Sequence, residues 1–353
     1  MKKVLSIAIA AALVAPVAAM ADATVYGKVR MSVDNVSVDD GTDDDSLWEI
    51  KSQTSRLGVK GSEDLGNGLK AVYKLEFGVD IAGNQRSQAS DAESITNITS
   101  VEEFGGDQPF SARNAYVGLA GDFGTALIGR HDTPLKMSTG KLDYFADTSA
   151  DFNSSYMGRF SDRRADGTIV YISPNWSGFT VAGAIIPGEN TEANGLADAY
   201  TVAGMYSNAG IFLSAAYEAA DADTDLLGGN GDHSQWRVGA GYDAGDWKVA
   251  AVYEDESIDD ADGGDDLLDE KRWAISGGVK LGMGMVKATY QDSDGEDGVA
   301  LNSNSVTSWA LGYDHNMSKR TQLYALYLDS TTEAEGVDDV DRSVFSVGVN
   351  HNF

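Results

Sequence analysis

The chain contains no cysteine, which removes disulfide frameworks and thiolate metal sites at once. Basic residues are scarce: 26 Lys and Arg stand against 55 Asp and Glu, a net charge of −29. Nucleic-acid binding relies on Lys and Arg that displace counterions from phosphates, so no nucleic-acid partner is expected. Long apolar runs are missing too. Beyond residue 21 no stretch approaches the ~18 consecutive apolar residues of a membrane helix. With a mean hydropathy of −0.25, a helical-bundle membrane protein is excluded. A membrane barrel is not, because lipid-facing and lumen-facing residues alternate along its strands and average to a soluble value. Catalytic signatures are absent as well. The histidines fall at 131, 233, 315 and 351, in unrelated parts of the chain, and neither H-E-x-x-H nor G-x-S-x-G accompanies them. Neither an enzyme nor a cofactor is expected.

What is present begins with an address. Met1-Lys2-Lys3 is a short basic start, Val4 to Ala19 is apolar apart from Ser6, and Ala19-Met20-Ala21 offers small residues to a signal peptidase. Residues 1–21 therefore read as a secretory signal peptide cut before Asp22. Residues 22–353 then form a single exported domain, two charges more negative for the loss of Lys2 and Lys3.

Period-two alternation runs through the rest. Val25, Val29, Met31 and Val33 share one face while Lys28, Arg30 and Ser32 share the other. The same pattern recurs in segments near 24–33, 46–61, 69–81, 110–121, 125–131, 164–173, 179–186, 198–206, 211–218, 234–243, 247–254, 271–281, 285–292, 305–314, 321–330 and 342–353. One segment conflicts with itself: Arg113 shares its parity with Ala115, Val117 and Leu119. Between the segments, tight Gly/Asn/Asp turns alternate with long acidic connections such as 39–45, 221–232, 257–270 and 292–304. Sixteen strands with this sorting predict an all-β, transmembrane antiparallel barrel with short turns at one rim and long loops at the other. Tyr26, Trp48, Trp176, Trp247, Trp273, Tyr313, Tyr324 and Phe353 lie toward strand ends, where an interfacial girdle is expected. Asp221-Ala222-Asp223-Thr224-Asp225 opens like a calcium loop, but Leu226 occupies the position that needs Gly, so no metal site is expected and the acidic loops read as solvated.

One connection breaks the pattern. After Gly129-Arg130-His131-Asp132-Thr133-Pro134, a long segment runs to Arg159 before alternation resumes, and it carries Leu135, Met137, Leu142, Tyr144, Phe145, Phe152, Tyr156 and Met157. An external loop gains nothing from so many apolar groups; a loop folded inward against the barrel wall would bury them. It would hold Asp143, Asp147 and Asp151 inside the lumen, with Arg159, Arg163 and Arg164 following on the return.

These residues carry a resemblance to the Gram-negative general diffusion porins over essentially the whole mature chain. Val25-Tyr26-Gly27-Lys28 resembles that family's first strand and Ser55-Arg56-Leu57-Gly58-Val59-Lys60-Gly61 its second. Arg113 to Leu119 and Gly124 to Arg130 resemble the strand pair before its constriction loop. Asp143-Tyr144-Phe145-Ala146-Asp147 followed by Gly158-Arg159 resembles the loop and its return, and Phe353 its C-terminal assembly signal. The resemblance implies an outer-membrane porin, usually a homotrimer among lipids and lipopolysaccharide, with a water-filled pore for passive diffusion of ions and small hydrophilic solutes. It implies a constriction loop over about 132–158 and a basic pore wall of Lys28, Arg56, Arg113 and Arg159, faced by Asp143 and Asp147, with Asp151 as the further loop acid read above. Arg130, Arg163 and Arg164 are further lumen candidates. The family's earlier loop acid falls on Thr139, a departure. A substrate-specific channel and a surface adhesin or receptor barrel are the alternatives. The acidic total also predicts pore mouths that attract cations despite the basic wall.

Overall fold

The structure, a computed structural model, describes residues 23–83, 109–158, 160–188, 195–222, 231–260, 267–297, 302–334, 336 and 338–353. The expected leader and most of the would-be calcium loop lie outside the described residues. The strands in chain order are β1 (Thr24–Asp39), β2 (Asp44–Ser52), β3 (Arg56–Gly66), β4 (Leu69–Val79), β5 (Phe110–Gly121) and β6 (Gly124–Asp132). A short helix α1 (Pro134–Met137) opens the long connection to β7 (Arg164–Ile172). Then come β8 (Phe179–Ile186), β9 (Ala199–Asn208), β10 (Ile211–Ala220), β11 (Gly231–Asp243) and β12 (Trp247–Asp260). β13 (Leu268–Leu281), β14 (Gly284–Asp297), β15 (Asn302–Asn316), β16 (Thr321–Ala334) and β17 (Val340–Asn352) complete the set. Among the described residues no helix is long and apolar enough to cross a membrane.

Apart from β2 and β3, which both pair with β1, each strand pairs antiparallel with its sequence neighbours, and β17 returns to β1 in a register that runs from Lys28 opposite Asn352 to Asp39 opposite Asp341. The last bonds of this seam join Gly27 and Phe353 reciprocally, at 3.1 and 3.0 Å. A Cβ on Gly27 would stand 2.2 Å from the Phe353 ring, so the absence of a side chain there lets the terminal aromatic lie over the seam. The lower half of β1 pairs with β3 and its upper half with β2, so β2 and β3 are two arms of one stave. The described strands therefore build sixteen staves, and the sheet closes on itself where β17 meets β1, as hydrocarbon, which does not tolerate a free edge, requires. Where those two arms meet, Thr54 adopts φ 53° and the Ser55 hydroxyl fills the ladder gap, accepting from Arg30 N at 2.9 Å and donating to Arg30 O at 3.0 Å.

The wall is inverted relative to a soluble protein. Along β10, Ile211, Leu213 and Tyr217 face out and are exposed, while Ser214 and Glu218 face in and are buried. On the outer face Tyr200, Tyr217, Trp236, Tyr253, Trp273, Tyr290, Trp309 and Tyr327 occupy neighbouring strands and stack pairwise, for example Trp236–Tyr253 at 5.1 Å between centroids and Trp273–Tyr290 at 5.3 Å. Above this row the outward positions turn polar: Asp255 follows Tyr253, Lys271 precedes Trp273, Asp292 follows Tyr290 and Asp329 follows Tyr327. From Trp247 at the opposite rim to Tyr253 the strand runs roughly 20 Å along its own axis, about 15 Å of height at the usual tilt, within the ≈ 25 Å apolar band of an outer-membrane barrel.

That row explains where strand boundaries differ from expectation. β12 continues to Asp260 and β14 to Asp297, well past the last apolar alternation. Hydrophobic periodicity marks only the part of a strand that touches lipid; hairpin pairing persists above it in water, where either face can be polar. Two aromatics expected in the girdle sit inside instead. The Tyr26 hydroxyl donates to Glu76 at 2.8 Å, and Tyr324, almost fully buried, lies under the Arg30 guanidinium. Pro109, Pro134, Pro174 and Pro187 all lie outside the strands, where a missing N–H interrupts no ladder.

Candidate functional site

The connection between β6 and β7 runs inside the barrel. Thr133 caps α1, its hydroxyl accepting from Lys136 N at 3.3 Å, with Pro134 at the first helical position. From there the loop follows the inner wall. Leu135 packs on Ala203 and Ala216 of β9 and β10. Leu142 joins Phe152, Phe160, Phe212, Ala250 and Val252. Phe145 and Met157 join Ala310, Tyr324, Leu326 and Leu328. Flat places in the wall receive these side chains: a Cβ on Gly239 would meet Leu142 at 2.3 Å, and one on Gly312 would meet Phe145 at 2.9 Å. Burial of each large apolar side chain stabilises by about 1.5–3 kcal/mol, which is what holds an irregular segment against the barrel. Polar ties complete the seat. Lys287 Nζ donates to Tyr144 O at 2.8 Å, an Arg30 guanidinium N–H to Ala146 O at 2.9 Å, and Gln53 Nε2 to Ser149 Oγ at 3.0 Å.

The far side of the lumen, along β3 to β6, borders a cavity of about 440 Å³ lined by Lys28, Arg56, Lys60, Lys74, Glu76, Arg113, Asn114 and Asp132. Lys28 Nζ lies 2.6 Å from Asp147, and Arg56 Nη1 lies 3.3 Å from the same carboxylate. Arg113 Nε donates to Glu76 at 2.8 Å, while Lys74 stands 3.2 Å from that group. Arg113 reaches the lumen through a bulge. Leu75 opposes Ala115 but Phe77 opposes Ala112, so the residues between change parity, Arg113 turns inward, and Val117 and Leu119 stay outward. The conflict in that segment's alternation is thereby resolved. Arg164 Nη2 lies 2.8 Å from Asp132, with Lys136 at 3.9 Å from the same carboxylate. Arg130 pairs with Asp166 at the neighbouring register shift between β6 and β7.

The other described residues expected at this site are placed elsewhere. Arg159 lies outside the described residues. Arg163 sits on the opposite wall, 2.9 Å from Glu256. Asp143 does not meet the basic wall: its carboxylate accepts from Phe145 N at 2.7 Å and Phe152 N at 3.0 Å, bracing the loop from within. Asp151 likewise accepts from Asp147 N at 2.6 Å and Asn153 N at 2.8 Å, which holds Asp147 at φ 63° with its carboxylate toward Lys28 and Arg56. Lys74, Glu76, Asp132 and Lys136 were missed by sequence reading, as was a buried ionic cluster of Arg237, Arg272, Glu254 and Glu256 behind the loop. For Lys74, Glu76, Arg237, Arg272, Glu254 and Glu256 the available signal was parity, since each shares the inward face of its strand; Asp132 lies past a register shift and Lys136 on α1, where parity does not reach.

Burial pushes Asp151 up to about 6, with the Asp147 and Asp162 charges adding to the shift against the two backbone donors. Burial and the neighbouring Asp151 raise Asp143 as well. For Asp147, burial acts upward but Arg56 and Lys28 more than offset it, holding the carboxyl well below the usual range. A raised carboxyl favours the seated loop below the ordinary carboxylate range, and that contribution is lost as pH rises through about 6. Asp147 has the opposite sense but stays ionised throughout this window. Open-channel current noise is therefore expected to be lower at about pH 4.5 than at about pH 7.5, and Asp151→Asn to flatten the difference. Equal noise at both pH values in the wild type would count against this account.

A closed antiparallel barrel, apolar outside and charged inside, with one loop packed along its lumen, is a membrane-spanning β-barrel of the outer-membrane channel class. The sequence profile of the family described as Gram-negative porin matches residues 8–335, and the chain belongs to that family. It is 27% identical over 373 residues to the major outer membrane protein P.IB of Neisseria sicca, covering 96% of each. Against P.IB of Neisseria gonorrhoeae it is 30% identical over 213 residues, 56% of this chain and 51% of the relative. The chain thus spans about half the length of that relative in the alignment. Among solved structures, an anion-selective porin from Comamonas acidovorans superposes with a TM-score of 0.73 at 24% identity, covering 94% of this chain and 99% of that one. OmpT of Vibrio cholerae, in its trimer form, gives 0.65 at 18% identity over 94% and 99%. Both likenesses concern the fold.

Proposed function

We propose that the chain forms a water-filled channel in the outer membrane for passive diffusion of ions and small hydrophilic solutes, with a constriction between the inward loop and the β3–β6 wall. The observation that carries the reading is the pairing at that wall. Each carboxylate there is shared by two cations: Asp147 by Lys28 and Arg56, Glu76 by Lys74 and Arg113, Asp132 by Lys136 and Arg164. Six cations for three carboxylates leave a positive surplus along the water path, which favours anions. The acidic outer segments attract cations to the mouth, at distances where salt screens them within about 10 Å at 0.1 M. A porin described as anion-selective shares this fold.

A homotrimer is part of this proposal, by likeness to a barrel solved in trimer form. The outer aromatic row supports contact with lipid and lipopolysaccharide headgroups. The signal peptide over 1–21 and the assembly role of Phe353 are proposed with it. No pairing in the site resembles an activated nucleophile, so the reading is a channel rather than an enzyme. Single-channel recording in a planar bilayer tests it. Conductance steps in groups of three, linear in salt and unblocked by sugars, with an anion-selective reversal potential, are the expected result. Saturating conductance blocked by one solute class would favour a specific channel. A cation-selective potential would overturn the charge argument, and folded protein without conductance would overturn the reading.

A further inference from the structure

Behind the loop, one fully buried side chain touches both of its legs. Arg237 projects inward from β11, and its Nη1 lies 2.6 Å from Asp162 on the returning leg. The same nitrogen lies 3.2 Å from Thr139 Oγ1 and 3.4 Å from Leu135 O on the outgoing leg. Its Nε donates to Glu254 of β12 at 2.6 Å, and Nη2 pairs with that carboxylate too. The guanidinium carbon stands 5.4 Å from the centre of the Phe160 ring. Only a planar fork of five donors can join a wall carboxylate, a loop carboxylate, a hydroxyl and a carbonyl at once; a lysine point charge cannot.

Resting on the channel reading above, we propose that Arg237 is the positioning residue of the inward loop. It clamps the loop's two legs to the β11–β12 wall and so fixes how far the loop stands from the cations opposite, which sets the solute size limit. Without the guanidinium, Glu254 keeps Arg272 at 2.8 Å, but Asp162 loses its cation and faces the wall carboxylate as a like charge, so both legs lose their tie to the wall and the loop loosens. Thr139 then has a role other than facing the pore, since its hydroxyl accepts from the clamp on the wall side.

The test compares the wild-type chain with Arg237→Met, and with Arg237→Met/Glu254→Gln, which removes the wall charge that faces Asp162 so that the barrel still assembles. Arg237→Lys keeps the charge without the fork. Two readouts are taken on protein folded in detergent: the size limit for neutral sugars in liposome swelling, and tryptic cleavage at the exposed Lys141 of the loop. In both methionine variants the sugar limit is expected to rise and cleavage to quicken by about tenfold through local opening of the loop. Arg237→Lys is expected to fall between them and the wild type. Thermal unfolding of the barrel should stay within a few degrees of wild type in the double variant. Unchanged sugar limit and unchanged cleavage in that variant would overturn the clamp. Wild-type protein that passes no solute would instead overturn the channel reading, and the cleavage rates would still decide the clamp.

Discussion

Replacing both Lys28 and Arg56 by glutamine is expected to lower the anion-to-cation permeability ratio by about tenfold. Both cations lean on Asp147, at 2.6 and 3.3 Å. That local group carries one surplus positive charge in the native chain and one negative charge in the double variant. A unit charge at about 4 Å contributes about 1 kcal/mol in a water-like medium. Two such changes amount to about 2 kcal/mol, and salt near 0.1 M screens part of this. What remains, about 1.4 kcal/mol, is a factor of ten. The reversal potential in a salt gradient reads this directly. Asp147→Asn should move the potential the other way, because it releases two cations from their shared partner. If neither variant shifts the potential, the solute path does not pass this group and the constriction lies elsewhere.

How much of this was legible beforehand follows from what each signal measures. Alternation reports contact with lipid on one face, so it located the staves but not their polar extensions such as 255–260 of β12. Parity alone could have kept Tyr26 out of the girdle, since it shares a face with Lys28 and Arg30; position near a strand end was the weaker guide. The inward turn of Arg113 was not legible, because a bulge depends on the partner strand's register and the sequence shows one strand at a time. Lys28 and Arg56 lie on adjacent staves, so their meeting could be anticipated. Their joint contact with Asp147 required the path of a loop nearly a hundred residues away. Asp143 shows the limit of residue type as a guide: an acid on an irregular segment can spend both oxygens on backbone N–H groups, as this one does with Phe145 and Phe152. Parity turns each charge of the Arg237 cluster inward but could not show that they meet, because each, taken singly, is an ordinary lumen-facing residue.

The largest expected effect concerns the loop's apolar seat. Leu142→Asp combined with Phe145→Asp should release the loop from the wall and raise single-channel conductance at least about twofold, since loop position sets the bore. Leu142 and Phe145 are fully buried, as are Leu135 and Met157. Together with Phe152 and Phe160 they supply about 9–18 kcal/mol of burial at about 1.5–3 kcal/mol each, an upper estimate. The double variant forfeits about a third of that. It also asks two carboxylates to enter a buried apolar seat where Lys287, the cation over the Phe145 ring, is already paired with Asp314, at several kcal/mol apiece. The seated state then has no margin left. The barrel keeps its own support, because the ladder from β1 round to β17 closes through Gly27 and Phe353 without using the loop. Heat-modifiable migration in detergent gels should accordingly stay close to wild type while conductance rises. Gly239→Ala approaches the same seat from the wall side but should act weakly: the atom its Cβ would crowd is a Leu142 methyl, which can rotate away, whereas a buried charge cannot be turned out of the site without moving the loop. A quiet channel of native conductance from the folded double aspartate variant would mean that the polar ties to Lys287, Arg30 and Gln53 hold the loop unaided, and that its apolar face matters only for folding.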